Sequence, residues 1–382
     1  MTYDPFARGP YPVGVESDEW TDATRDRSLP IEIWYPAADS YRGQDLSPET
    51  WDVFSPGWTA DAVESDDLAH QEAVRDARWR EISPAETPLV LLVHGWAGFR
   101  REATFLATQL ASHGYVVVSP DVLGSTYADV DRLLVEQDGV GDSSALVSHT
   151  KEIARLRRGD IPFLIDSATA RLPVRTSGVG VTGASFGGWS SLIAPEVDGR
   201  VTAVVPMCPA NDDAPIREPG STLFGADEQP EWLSPAATLI LAGDRDSLLP
   251  LYGQLRVLRK LPAASKQMVV LTRADHNHFV DDIDTGQAWL KEFADRVAAV
   301  FPNGPGRWDL VASTISPIEL LTPGSEAKLA WRGLTTAHFD RHLRGLTEAD
   351  LVLDDPESAL AALGVEASRV LGPDVVQAAG SR

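Results

Sequence analysis

Val179-Gly180-Val181-Thr182-Gly183-Ala184-Ser185-Phe186-Gly187-Gly188-Trp189 reads as a buried strand, a tight turn and the start of a helix. The apolar run Val179–Thr182 enters Gly-x-Ser-x-Gly, and a helical segment follows at Gly188-Trp189. The glycines around Ser185 have a steric reason. A serine held in a strained turn needs small neighbours, so that the helix can pass close to the strand. The turn lifts the hydroxyl above the sheet edge and aims the first N–H groups of the helix at a point where negative charge can gather. Gly-x-Ser-x-Gly alone also describes a solvated turn; the strand before it and the helix after it are what make Ser185 a candidate nucleophile.

Other short apolar runs recur on either side: Ile31–Tyr35, Leu89–Val93, Tyr115–Ser119, Ala203–Met207, Thr238–Ala242 and Gln267–Leu271. Several are nearly continuous in Val, Leu and Ile, as strands are when both faces of a sheet are covered. Helical segments at Glu102–His113, Lys151–Ala170, Gly187–Ala194, Leu251–Leu261 and Gln287–Val300 separate most of them. The alternation predicts an α/β fold, with a mostly parallel central sheet of about eight strands and helices on both faces. Residues 1–345 form the expected catalytic domain, and a further helix is expected at Ser325–Arg344. Arg42–Pro88 reads as a polar insertion at the rim, with helical signals near Leu68–Trp79. Thr126–Ser148 and Asn211–Trp232 read as irregular loops. The acidic extension 346–382 reads as a docked helix or a loose tail.

Composition narrows the partners. With 33 basic and 56 acidic residues among 382, the net charge is -23. A nucleic-acid or anionic-membrane partner needs a basic face, so neither is expected. The single cysteine, Cys208, excludes an internal disulfide and reads as a buried thiol at a strand end. The N-terminal residues carry no apolar signal segment, and a cytoplasmic location is expected.

A serine needs a base, and the base needs an orienting carboxylate. Asp or Glu and then His are expected to follow the nucleophile in the chain. Thr238–Ala242 runs into Gly243-Asp244-Arg245-Asp246-Ser247, and Asp246, further past the strand end, is favoured over Asp244. Gln267–Leu271 runs into Ala274-Asp275-His276-Asn277-His278-Phe279, where His276 and His278 both qualify as base by position. Leu89–Val93 leads into His94-Gly95-Trp96, so the backbone N–H groups of Trp96 and Phe186 are the expected oxyanion donors. Losing one such donor costs about 3–4 kcal/mol of transition-state stabilisation. His94 is read as bracing that loop. Phe99, Tyr127, Trp189, His278 and Phe279 are candidate substrate-pocket residues. His338 and His342 share a helix face without the intervening glutamate of a zinc-protease helix, and read as packing residues. No metal or organic cofactor is expected.

With these residues placed, the sequence resembles the platelet-activating-factor acetylhydrolase and dienelactone-hydrolase-related branch of the α/β hydrolases. Gly9-Pro10-Tyr11-Pro12-Val13-Gly14 and Leu29-Pro30-Ile31-Glu32-Ile33-Trp34-Tyr35-Pro36 are similar to that branch. Arg8-Gly9-Pro10 and Leu110-Ala111-Ser112-His113-Gly114-Tyr115-Val116-Val117-Val118 also resemble bacterial cutinases. The resemblance spans roughly residues 8–300. It implies an α/β-hydrolase fold and a serine, aspartate and histidine set carried onto Ser185, Asp246 and His276. A cutinase-like His-Phe would instead select His278. Dienelactone hydrolases use a cysteine nucleophile where this chain has Ser185. The implied activity is hydrolysis of short-chain or small apolar esters through an acyl-enzyme, with a small-molecule ester as the partner.

Overall fold

Residues 3–55, 68–215, 230–262, 265–302 and 306–372 are described in the computed structural model. A hairpin opens the chain: β1 (Val13–Asp22) pairs antiparallel with β2 (Arg27–Pro36), Val13 opposite Pro36 and Asp22 opposite Arg27. A small antiparallel pair, β3 (Asp52–Phe54) and β4 (Ala69–Gln71), lies apart from the main sheet. The short β5 (Val74–Arg75) runs parallel to β1. Then come β6 (Leu89–Leu92), α1 (Thr104–Ser112), β7 (Val116–Pro120), α2 (Tyr127–Gln137), α3 (Ser143–Arg171), β8 (Val179–Ala184), α4 (Phe186–Val197), β9 (Val201–Met207), β10 (Ala237–Gly243), α5 (Leu251–Lys260), β11 (Lys266–Leu271), α6 (Asp284–Val300), α7 (Trp308–Thr314), α8 (Gly324–Leu343), α9 (Asp350–Leu353), α10 (Pro356–Ala361) and β12 (Ala367–Leu371).

Among the described residues, ten strands form the main sheet, in the order β12-β11-β10-β9-β8-β6-β7-β2-β1-β5. From β7 through β11 every pairing is parallel. Period-two alternation explains the two cores. Leu89, Leu91 and Val93 pack with α3, α4 and α6 residues on one face, whereas Val90 and Leu92 pack with α1 and α8 residues on the other. The sheet brings the carboxyl ends of β6, β8, β10 and β11 to one edge, where the sequence places its candidate site residues.

Three expectations change. Thr126–Ser148 is not an irregular loop: it holds α2 and the first turns of α3. Thr126 and Asp129 form a capping box, and Val130 and Leu134 bury one narrow face, so a short apolar stripe hides in a polar stretch. Leu68–Trp79 holds two short strands, β4 and β5, rather than a helix. Its Gln71 accepts from the Trp34 indole at 2.6 Å, and Arg75 grips Asp52 and Glu32 at 2.6 and 2.8 Å, drawing the rim insertion onto the edge of β1. The acidic C-terminal segment contributes α9, α10 and β12, the last pairing antiparallel with β11 from Gln267–Leu371 to Leu271–Ala367. Most of the Asn211–Trp232 loop, residues 216–229, and the last ten residues of the chain lie outside the described residues. Among the described residues no helix is long and apolar enough to cross a membrane.

Candidate functional site

Ser185 sits between β8 and α4 with φ 57° and ψ −115°, a backbone state that costs a non-glycine residue about 1–3 kcal/mol. Hydrogen bonds hold it there: Ser185 N donates to Met207 O at 3.0 Å, and Ser185 O accepts from Ala210 N at 2.8 Å. The crossing of strand and helix depends on Gly183 and Gly187. A Cβ on either would collide with the Val93 carbonyl oxygen, which is backbone and cannot swing away. Gly187→Ala is therefore expected to destabilise the fold by about 3 kcal/mol or more, in the range of severe overpacking. Chemical denaturation checks this; an unshifted midpoint would contradict it.

The loop after β10 brings Asp246 to the loop after β11, which carries His276. His276 Nδ1 lies 3.1 Å from both Asp246 carboxylate oxygens. Asp246 is itself fixed, since Oδ1 accepts the Leu248 and Leu249 N–H groups at 3.0 and 2.7 Å. Asp244, the other candidate, is exposed. Burial opposes charging His276, but Asp246 more than offsets that and lifts its pKa well above 6.5, with Cys208 acting in the same direction. Burial pushes the Cys208 thiol up, so it is neutral near pH 7 and Asp246 is the effective source.

The second histidine is committed elsewhere. His278 Nδ1 accepts from Asp275 N at 3.1 Å and Nε2 meets Thr322 O at 2.9 Å, leaving no ring nitrogen for the site. Asp275 was not singled out in the sequence, yet it ties the two loops together. Buried, it accepts from Ser247 N, Ser247 Oγ, His276 N and Gln287 Nε2 at 2.7–2.8 Å.

His94 Nε2 accepts from Val122 N at 2.8 Å, so Nδ1 carries the proton and donates to Gly95 O at 2.7 Å. Burial, with Arg157 nearby, drops its pKa to about 3, and the ring acts as a neutral brace. Gly95 N donates to Glu102 at 2.9 Å. Burial raises the Glu102 pKa to about 8. Gly95 passes directly over the serine: a Cβ placed on it would stand 3.4 Å from Ser185 Cβ. The N–H groups of Trp96 and Phe186 have no acceptor among the described residues.

A cavity of about 520 Å³ opens onto Ser185 and His276. Trp96, Phe99, Tyr127 and Trp189 line it, together with Trp289 and Phe293 of α6. The α6 pair was missed, although its i, i+4 spacing is a readable helical signal; the two rings stack at 4.9 Å. His278 and Phe279, named as pocket residues, do not line it. Phe279 is buried in the opposite core, stacked on Trp331 at 5.0 Å. His338 Nε2 donates to Ala237 O at 3.1 Å, and the ring packs on His342 with ring centres 4.6 Å apart. Cys208, Asp246 and His276 offer ligand atoms within 4.8 Å of one another, but the carboxylate and imidazole are already joined.

No curated protein matches the chain in sequence. In structure it is similar to the ferulic acid esterase from Streptomyces cinnamoneus, with a TM-score of 0.62 and 23% identity over 96% of this chain and 98% of that one. That likeness shows the α/β-hydrolase fold. The model of the dienelactone hydrolase family matches residues 78–282, a span that holds Ser185, Asp246 and His276. On that match, which covers more than half of its length, the chain belongs to the dienelactone hydrolase family.

Proposed function

We propose that the chain is a serine carboxylic-ester hydrolase acting through an acyl-enzyme. The observation that carries this reading is the Asp246–His276 pair at 3.1 Å, opening on the same cavity as a strained Ser185. Neutral His276 takes the Ser185 proton at Nε2 as Oγ attacks the ester carbonyl. Asp246 holds Nδ1–H and stabilises the imidazolium. Trp96 and Phe186 N–H groups receive the oxyanion. His276 then gives its proton to the leaving alcohol, and later activates the water that releases the acid.

The cavity favours larger acyl groups than short-chain ones. Its volume lies within the range of about 300–1,000 Å³ typical of pockets that take drug-sized ligands, and its walls are rich in aromatic rings. An aromatic acyl ester, of the kind in the neighbour's name, suits a cavity walled by Trp96, Trp289 and Phe293. Burying one aromatic ring removes about 150–250 Å² from water, so even partial use of that area favours a cinnamoyl over an acetyl ester by about tenfold or more in kcat/KM. A panel of p-nitrophenyl acetate, octanoate and cinnamate, with a lactone, a thioester and an anilide beside them, tests this. Preference for acetate contradicts the pocket assignment. Turnover of the anilide or lactone with no ester hydrolysed contradicts the ester reading.

The same assay carries a pH prediction. Only the neutral imidazole is a base, so kcat/KM rises as pH rises through the His276 pKa. Because Asp246 lifts that pKa, the midpoint of the acid limb is expected above pH 6.5. A profile flat from pH 5 to 8, about the range in which histidine titrates, contradicts the role of His276.

A further inference from the structure

Arg157 stands in the middle of α3, 1% exposed, inside the core rather than on the rim. None of the hydrogen bonds it makes goes to a carboxylate. Nη1 donates to His94 O at 2.8 Å and Ser190 Oγ at 3.2 Å; Nη2 donates to Gly95 O at 3.0 Å and Ser125 Oγ at 2.6 Å. Nε has no acceptor among the described residues. Burial pulls its pKa down to about 9, which still leaves it charged at neutral pH. Glu102 and Asp160 favour its charge only through space, while every hydrogen bond it makes goes to a neutral oxygen, an expensive arrangement to keep in a core.

Its partners supply the reason. In a trans peptide the C=O and the following N–H point in opposite directions. Holding Gly95 O towards α3 therefore turns Trp96 N–H the other way, and holding His94 O turns Gly95 N–H onto Glu102. The same guanidinium lies 4.8 Å from the centre of the Phe186 ring, and it donates to Ser190 Oγ, which in turn donates to Phe186 O at 2.9 Å. One side chain thus touches the two segments that supply the two oxyanion donors, one after β6 and one at the start of α4.

We propose that Arg157 is the positioning residue of the oxyanion hole: its two-pronged grip sets Trp96 N–H and Phe186 N–H in one arrangement, and its positive charge stands behind the loop where the tetrahedral intermediate gathers negative charge. The inference rests on the serine-esterase reading above. It gives Arg157 no contact with substrate, and no part in proton transfer.

The test uses Arg157→Met and Arg157→Lys in the full chain, with kcat, KM, the inhibition constant of a trifluoromethyl ketone, and the pH profile as readouts. Arg157→Met is expected to lose about 100–1,000-fold in kcat, the effect of losing an oxyanion donor. The ketone, which forms the tetrahedral adduct, should weaken by a similar factor, while KM and the acid-limb midpoint stay near wild type. Arg157→Lys keeps the charge but cannot span both carbonyls, and about a tenfold loss in kcat and in ketone affinity is expected. Added guanidinium ion should restore part of the activity of Arg157→Met. If that variant does not fold, Arg157→Lys decides. Wild-type kcat in a folded variant, or a fall in kcat without weaker ketone binding, overturns the proposal. Fluorophosphonate labelling separates the two levels. A wild-type chain that is not labelled at Ser185 overturns the serine reading beneath; a labelled wild type with unaffected variants overturns the role of Arg157 alone.

Discussion

Replacing Ser185 by alanine is expected to lower ester turnover by about four to six orders of magnitude, the usual effect of removing a triad member. The fold should not change with it. Alanine keeps the Cβ and so keeps the same backbone strain at φ 57°. The main-chain bonds to Met207 and Ala210 do not involve the hydroxyl. Residual catalysis over water should persist, because the Trp96 and Phe186 amides can still polarise a bound carbonyl. Circular dichroism and the melting transition report the fold, and p-nitrophenyl ester hydrolysis reports the chemistry. Turnover that survives the change removes Ser185 from the mechanism.

Asp246→Asn is expected to cost about 10⁴-fold in kcat, through the wrong imidazole tautomer. The geometry explains why. Oδ1 of Asp246 accepts two backbone N–H groups, from Leu248 and Leu249, so an asparagine oxygen is drawn to that position. The amide nitrogen then faces His276 Nδ1 as a donor. The ring must answer with a lone pair at Nδ1 and a proton at Nε2, where it can no longer accept from Ser185. Removing the negative charge should also lower the His276 pKa and move the acid limb of the profile to lower pH. Asp244→Asn, on an exposed side chain, serves as the control and should leave the rate near wild type. A wild-type rate in Asp246→Asn would contradict the assignment of the orienting carboxylate.

The centre of the sheet was readable because its strands are buried on both faces and so run nearly unbroken in Val, Leu and Ile. The edges were not. β1 carries Glu16-Ser17-Asp18-Glu19 along a half-exposed hairpin, and β12 lies in an acidic segment; both take their strand state from pairing with a neighbour. The candidate site was legible wherever a motif sits at a strand end, as with Ser185, Asp246 and His276. The choice between His276 and His278 depends on which ring the Asp275 and Thr322 backbones engage, and spacing does not encode that. Arg157 was invisible for a similar reason. In Arg155-Leu156-Arg157-Arg158 it looks like one more solvated cation, and only the crossing of α3 behind the loop after β6 turns it inward.

The most direct measurement is a crystal structure of the protein after reaction with a fluorophosphonate. The expected result is phosphorus bonded to Ser185 Oγ, with the phosphoryl oxygen about 2.7–3.1 Å from both the Trp96 and Phe186 nitrogens. His276 should stand beside the modified oxygen, and the alkyl arm should lie among Trp96, Trp289 and Phe293. Phosphorus on another residue, or a phosphoryl oxygen turned to solvent away from both amides, would contradict the account.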